Sequence, residues 1–387
     1  MVDVLVVGAG PAGAVAATVA ARAGASVLLV DRAGFPRDKL CGDTVNPGAL
    51  TSLRALGLAG RVEARGLPLD GMVLTSREGD RVEGTYGRGI VARTIRRRDL
   101  DLILVEQAVA AGARFEDGVV VSAPVVERTG DDRVVRGARL KSRTAAARTV
   151  RARVTIAADG RRSGLAIRLG LIHQPRRPRR WVAGGYFEGI RDLGRFGEMH
   201  IRPSSYIGVA PIPGGVANVC VVTASRHGWD EPSSLLTTTV ERDPVLGPRF
   251  ERAGLTARAV SMGPLAVDAH VSGVPGLLLA GDASGFIDPM TGDGLCFAIR
   301  GGALAARAAL ATFAEPRDGP AELDRLRRSA FARKHRFNRS IRALVGYPAG
   351  VRLGTLTARV APMVLRWTIR YAGDVAGSRA GESRWAV

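Results

Sequence analysis

The chain has 387 residues, 46% of them hydrophobic, with a mean hydropathy of +0.07, which excludes disorder over most of its length and allows a core large enough for two joined domains. Its 56 Lys and Arg against 36 Asp and Glu give a formal charge of +20, an excess that invites nucleic acid, an anionic membrane surface or an acidic substrate as partner. Aromatics make up only 5% and do not interleave with the clusters Arg96–Arg98 and Arg176–Arg180, so no base-stacking platform is visible and nucleic acid is not expected.

Val4 to Val7 is a short apolar run of the kind that forms a parallel strand buried on both faces. The acidic Asp3 beside it and the lack of a basic lead read as a strand, not a signal peptide. A glycine turn, the Ala-rich stretch Ala14–Ala23, a stop at Gly24 and a second apolar run, Val27–Val30, complete a predicted βαβ unit. Residues 67–91 alternate loosely and predict antiparallel strands, and Arg97–Gly112 has helical periodicity. Strands are expected across 119–156 and 181–222. A third apolar strand is expected at Gly276–Ala280, and helix from Gly285 to the end. No uninterrupted apolar run of about 18 residues is present, so no segment is expected to span a membrane.

Gly8-Ala9-Gly10-Pro11-Ala12-Gly13 follows the first strand and opens the first helix. Gly8 suits the tight turn, Gly10 lets a pyrophosphate approach the backbone, and Gly13 lets helix and strand pack closely. The helix N-terminus offers free N–H groups to the phosphates. Asp31 ends the second strand, where a carboxylate accepts from ribose hydroxyls. This much predicts a dinucleotide site without choosing the dinucleotide. Further on, Gly281-Asp282 follows the strand Leu277–Ala280 inside a loop rich in glycine, with Pro289, Gly292 and Gly294 before Leu295. A carboxylate at a strand's end followed by glycines that open a helix can hold sugar-like hydroxyls and present N–H groups to a ring edge.

Four ordered motifs now stand together: Gly8/Gly10/Gly13, Arg97-Arg98-Asp99-Leu100-Asp101, Ala158-Asp159-Gly160-Arg161-Arg162-Ser163 and Gly281-Asp282-Ala283. Over about residues 1–310 this set resembles the para-hydroxybenzoate-hydroxylase superfamily of flavoproteins. The resemblance implies an α/β (α+β) chain. A discontinuous Rossmann-type FAD domain with a parallel sheet would span 1–66, 92–165 and 265–315. A mainly antiparallel substrate domain would span 67–91 and 166–264, and a helical segment 316–387. It implies FAD as cofactor, touched by Ala12, Asp31, Arg32, Cys41 and Leu295 besides the glycines. Arg97 would lie near the diphosphate or ribityl chain, with Arg98 able to exchange roles. Asp159 would lie between FAD and any pyridine nucleotide, Asp282 on the ribityl chain, and Pro289, Gly292 and Gly294 along the ring.

Within that superfamily, Phe35-Pro36-Arg37-Asp38-Lys39-Leu40-Cys41-Gly42-Asp43, the strand Tyr206–Pro211 with Asn218-Val219, and Thr291–Gly294 are similar to the geranylgeranyl reductases. Tyr206 and Pro211 are thus expected in the substrate pocket. The paired tryptophans before Ile-Pro that mark halogenases are absent. Cys41 reads either as a proton donor over the flavin or as a small buried hydrophobe. Asp288 and Asp293 are candidates for acid–base work, and either would also serve to cap a turn. Cys220 and Cys296 read as core. With no CxxC pair and five dispersed histidines, neither zinc nor a disulfide framework is expected, and a reducing cytoplasm fits. Leu353, Leu356, Val360, Met363, Trp367 and Tyr371 fall on one helical stripe edged by Arg352, Arg359, Arg366 and Arg370. That stripe reads as docked on its own core or as an element touching a membrane, with Pro362 expected to kink it. The expected activity is reduction or dehydrogenation of a carbon–carbon bond in a lipophilic substrate, with NAD(P)H docking transiently or a redox partner delivering electrons. The alternatives are an NAD(P)H-dependent flavin monooxygenase and, less favoured, a halogenase. The protein is expected in the cytoplasm, or peripheral to the membrane.

Overall fold

The computed structural model describes residues 1–129, 132–142, 146–175, 180–224, 229–286, 289–314, 318–346, 350, 354, 356–357 and 359–375. The apolar runs make a parallel sheet from β1 (Val2–Val7), β2 (Val27–Val30), β3 (Arg114–Glu116), β4 (Arg148–Ala157) and β5 (Leu277–Leu279), in the order β5-β4-β1-β2-β3. β2 is buried along its whole length, as continuous apolar strands of such sheets are. Helix α1 (Pro11–Arg22) begins with Pro11 at its first position, where a missing N–H costs nothing. α1 lies on one face with α2 (Pro47–Ala55), α3 (Arg97–Ala110) and α4 (Gly294–Ala314), and the hairpin 119–142 packs on the other through Leu5, Leu28, Val135 and Leu140.

Two glycines set the spacing of this layer. A Cβ at Gly13 would stand 1.8 Å from the carbonyl oxygen of Gly8, and one at Gly302 of α4 would stand 2.1 Å from that of Ala12. Backbones this close admit no side chain.

A second sheet runs in the order 254–255, Trp181–Glu188, Val216–Thr223, Ser205–Ile212, Phe196–Ile201, Gly71–Thr75, Arg81–Thr85. All its steps are antiparallel except one: Phe196–Ile201 pairs parallel with Gly71–Thr75. Residues from 71–85 and from 181–223 therefore share one sheet.

α5 (Gly319–Gly346) and α6 (Pro362–Ala372) follow α4. Pro362 does not kink a helix; it starts one, at the N-terminal position where proline is tolerated. α6 lies over Arg81–Thr85, and Ile369 is so close to Gly84 that a Cβ there would lie 2.7 Å from Ile369 Cδ1. Among the described residues α4 alone is long and apolar enough to cross a membrane, although Arg300 and Arg307 interrupt its run. Its most apolar window is 67% buried, against α1 and α2. It is a core helix by packing.

Candidate active site

A cavity of about 970 Å³ lies between the two sheets and the C-terminal helices, near the upper end of what small-molecule sites occupy, about 300–1,000 Å³. One end is walled by the glycine loop. Gly8 (φ +98) sits against the turn after β4, where a Cβ on it would be 2.5 Å from the Ala158 carbonyl, so the Gly8 and Asp159-Gly160 loops adjoin. Ala9 N–H donates to Asp31 Oδ2 at 2.8 Å and Ala33 N–H to Asp31 Oδ1 at 2.9 Å, which ties the end of β2 to the loop. Beside Gly10 the space is open: the nearest atoms to an added Cβ are Arg37 Nη2 at 3.7 Å and Arg97 Nη2 at 4.0 Å. Both guanidiniums are held from behind by buried Asp101, Arg97 through two bonds of 2.9 Å and Arg37 at 3.0 Å. A glycine at a helix N-terminus faced by two fixed cations is a setting for a diphosphate.

Arg97 lines the cavity and Arg98 does not; Arg32 stands exposed at the rim. Asp159 lines it too. Its Oδ2 accepts from Gly164 N–H at 3.0 Å, whereas its buried Oδ1 has no protein partner, and burial raises its pKa. Gly281, Asp282, Pro289, Gly292, Gly294 and Leu295 line the same cavity from the opposite segment, as do Ala12, Cys41 and Tyr206. Gly8 and Gly13 sit behind it as spacers.

Two expectations are corrected. Asp293 is walled off from the cavity. It accepts from Asn46 Nδ2 at 3.1 Å and Asn338 Nδ2 at 3.0 Å and pairs with Lys334 Nζ at 3.3 Å, so it joins α2, α4 and α5 instead of facing a substrate. Pro211 also lies outside the lining; its carbonyl accepts from the Thr94 hydroxyl. Asp288, His227, Arg352, Leu353 and the cluster Arg176–Arg179 lie outside the described residues.

Sequence reasoning missed a buried acid. Asp43, in a left-handed conformation (φ 52), accepts from Tyr186 Oη at 2.8 Å and Asn218 Nδ2 at 2.9 Å through Oδ2, and from Arg97 N–H at 3.2 Å through Oδ1. Asn218 also donates to the Cys41 carbonyl at 2.8 Å. Burial pushes Asp43 up to about 6, against the bonds from Tyr186, Arg97 and Asn218 that favour its ionised form. Burial likewise raises the Cys41 thiol, opposed by Arg97, so it stays protonated at neutral pH. Tyr186 and Asn218 are direct cross-strand partners. Nothing in a single stretch of sequence connects residues 32 positions apart, and only Asp43's place in Cys41-Gly42-Asp43 offered a signal. A second buried chain was also missed: Thr75 Oγ1 to His200 Nδ1 at 2.7 Å, His200 Nε2 to Glu198 at 3.0 Å, and Glu198 to Arg249. Burial pushes Glu198 upward, but Arg249 and His200 outweigh it and hold the carboxyl at about 2.

The fold and this cavity define a dinucleotide-binding flavoprotein, and residues 1–184 match the FAD-binding domain family. The chain is 34% identical over 342 residues to the menaquinone reductase of Mycobacterium tuberculosis strain H37Rv, covering 79% of this chain and 75% of that one. It is 30% identical over 319 residues to the digeranylgeranylglycerophospholipid reductase of Methanosarcina mazei, covering 79% and 74%. A flavin-dependent brominase, Bmp2, has the same fold, with a TM-score of 0.84 at 21% identity over 99% of this chain and 98% of that one. The chain belongs to the geranylgeranyl reductase-like branch of the para-hydroxybenzoate-hydroxylase superfamily and is an FAD-dependent oxidoreductase.

The residues fit the group. Gly10 with Arg37 and Arg97 would hold the diphosphate, Asp282 the ribityl chain and the loop 289–295 the ring, and the unpartnered Asp159 Oδ1 is a buried acceptor left for a ligand hydroxyl, whereas Asp31 lies outside the lining with both oxygens accepting from backbone N–H groups.

Proposed function

We propose that this oxidoreductase reduces a carbon–carbon double bond in a lipophilic, isoprenoid-like substrate. The observation that carries the reading is the far end of the cavity: past the loop 289–295 it runs between α5 and α6, lined there by Phe337, Ile341, Leu344, Leu365 and Ile369. That wall offers an alkyl chain contact and no charge. The two relatives named as reductases support the same reading.

Bound FAD would supply hydride transfer at its isoalloxazine. The chain's own residues do the rest. Asp282 and the glycine loop fix the cofactor lengthwise, the walls Met72, Met199 and Phe286 exclude water, and Cys41 Sγ holds the proton that a reduced double bond must gain. Asp43 and Asn218 fix the Cys41-Gly42-Asp43 backbone from behind. NAD(P)H as donor would dock beside Arg32, exposed at the rim.

Anaerobic turnover tests the reading. With a polyprenyl quinone or an unsaturated isoprenoid lipid, and with NADH, NADPH or dithionite as donor, product is expected to gain two hydrogens without oxygen. Activity that stops when oxygen is removed and inserts an oxygen atom would overturn it in favour of a monooxygenase; halide-dependent product would favour a halogenase.

A further inference from the structure

The helix that closes the cavity has two apolar faces. On α6, Leu365, Thr368, Ile369 and Ala372 recur at helical spacing and face the cavity. The opposite stripe, Met363, Val364 and Trp367, is also apolar, and each of its residues is more than half exposed, as are Leu356 and Val360 just before the helix. Leu344 belongs to both worlds: it lines the cavity and is 37% exposed, so the mouth opens beside this patch. Six of the thirteen exposed large hydrophobics among the described residues fall between 344 and 367. Isolated exposed apolar residues need no explanation; a cluster beside a greasy cavity mouth does.

Charge says what covers it. From Arg325 to Gly373 the sequence holds eleven Arg and one Lys and no Asp or Glu; Arg325, Arg328, Lys334 and Arg359 pair with Glu322, Asp324, Asp293 and Asp80 from outside the span, and it stays net positive. A protein partner would face this span's net positive sign with acids of its own, but an apolar stripe within a positive span matches a surface with anionic headgroups over hydrocarbon. The geometry points to α6 and the end of α5 as a docking face for an anionic bilayer, Trp367 and Met363 entering the interface and the arginines meeting the headgroups. The cavity mouth then opens toward the lipid, so a hydrophobic substrate passes from membrane to cavity between Leu344 and Leu365 without crossing water. The docking face is argued from the surface alone; that it delivers substrate rests on the function proposed above.

The test uses the FAD-loaded full chain and phosphatidylcholine vesicles with or without about 30% phosphatidylglycerol. Co-sedimentation is expected with the anionic vesicles only, falling steeply with salt, and the double variant M363E/W367E should bind at least roughly tenfold more weakly at unchanged FAD content and melting temperature. In the parent, brominated lipid should quench tryptophan emission, and Trp367→Phe should remove that quenching, a readout that holds even if the double variant is unstable. No binding by the parent, equal binding by the folded double variant, quenching unaffected by Trp367→Phe, or a dimer that buries Trp367 would each overturn the proposal. Vesicle binding without isoprenoid turnover would count against the proposed activity alone.

Discussion

Gly281, which follows β5, is packed against Ala12 in the first turn of α1 so closely that a Cβ added to it would lie 2.8 Å from the Ala12 Cβ. Segments about 270 residues apart thus form one wall. Gly281 also has φ +60, a conformation that side chains resist. Both constraints follow from where β1 and β5 sit in the sheet, each beside β4, so that the loops at their carboxyl ends converge on the same cleft.

The three glycines of the first motif separate into two roles. Gly13→Ala would drive a methyl into the Gly8 carbonyl and is expected to cost more than about 3 kcal/mol, enough to prevent folding. At Gly10 the protein itself leaves room, the nearest atoms to an added Cβ being Arg37 Nη2 at 3.7 Å and Arg97 Nη2 at 4.0 Å. Gly10→Val should change stability by about 1 kcal/mol or less while lowering FAD affinity at least about tenfold. Urea unfolding with flavin content measured on the same samples distinguishes the two; equal loss of stability would contradict this division.

Asp43 predicts an unusual pH dependence. Its folded pKa near 6 lies above the ordinary 3.8, so the native state binds a proton that the unfolded state has already released. Between about pH 4 and 6 this group's contribution to stability falls as pH rises, and above pH 6 the full cost of burying the charge, about 3 kcal/mol at most, is present. Asn tolerates the left-handed backbone at this position. Asp43→Asn is therefore expected to flatten that part of the stability–pH curve and to be neutral or stabilising at pH 7. A variant with the parent's slope between pH 4 and 6 would refute the assignment.

Asp293 should behave as a structural joint. Asp293→Ala leaves Lys334 buried without its counter-ion, an expected loss of about 3–5 kcal/mol. At a temperature where the variant is still folded, its turnover per bound flavin should stay within a few-fold of the parent. Loss of turnover in a variant with unchanged melting would restore the acid–base role.

The sequence displayed what is local. The glycine loop, its strand and helix, and Asp31 lie within about thirty residues, and Gly281-Asp282 lies directly behind a strand, so each could be read as a unit and joined to the other by resemblance. What stayed hidden depends on pairing across distance. Tyr186 meets Asn218 only through strand register, and Asp293 finds Lys334 only because α4 and α5 pack together. Asp293 looked catalytic for the same reason that it is structural: a carboxylate among glycines at a helix start gives one signal for both roles. The side of α6 turned to solvent was likewise undetermined, because its two apolar stripes have the same period.

The most direct measurement is equilibrium titration of the deflavinated protein with FAD, for the parent and for Asp282→Ala. One FAD per chain is predicted, with affinity lowered at least about tenfold in the variant and little change in melting temperature, because Asp282 lines the cavity. A parent that takes up no FAD, or a variant that binds it as tightly as the parent, would contradict a cofactor held between the two loops.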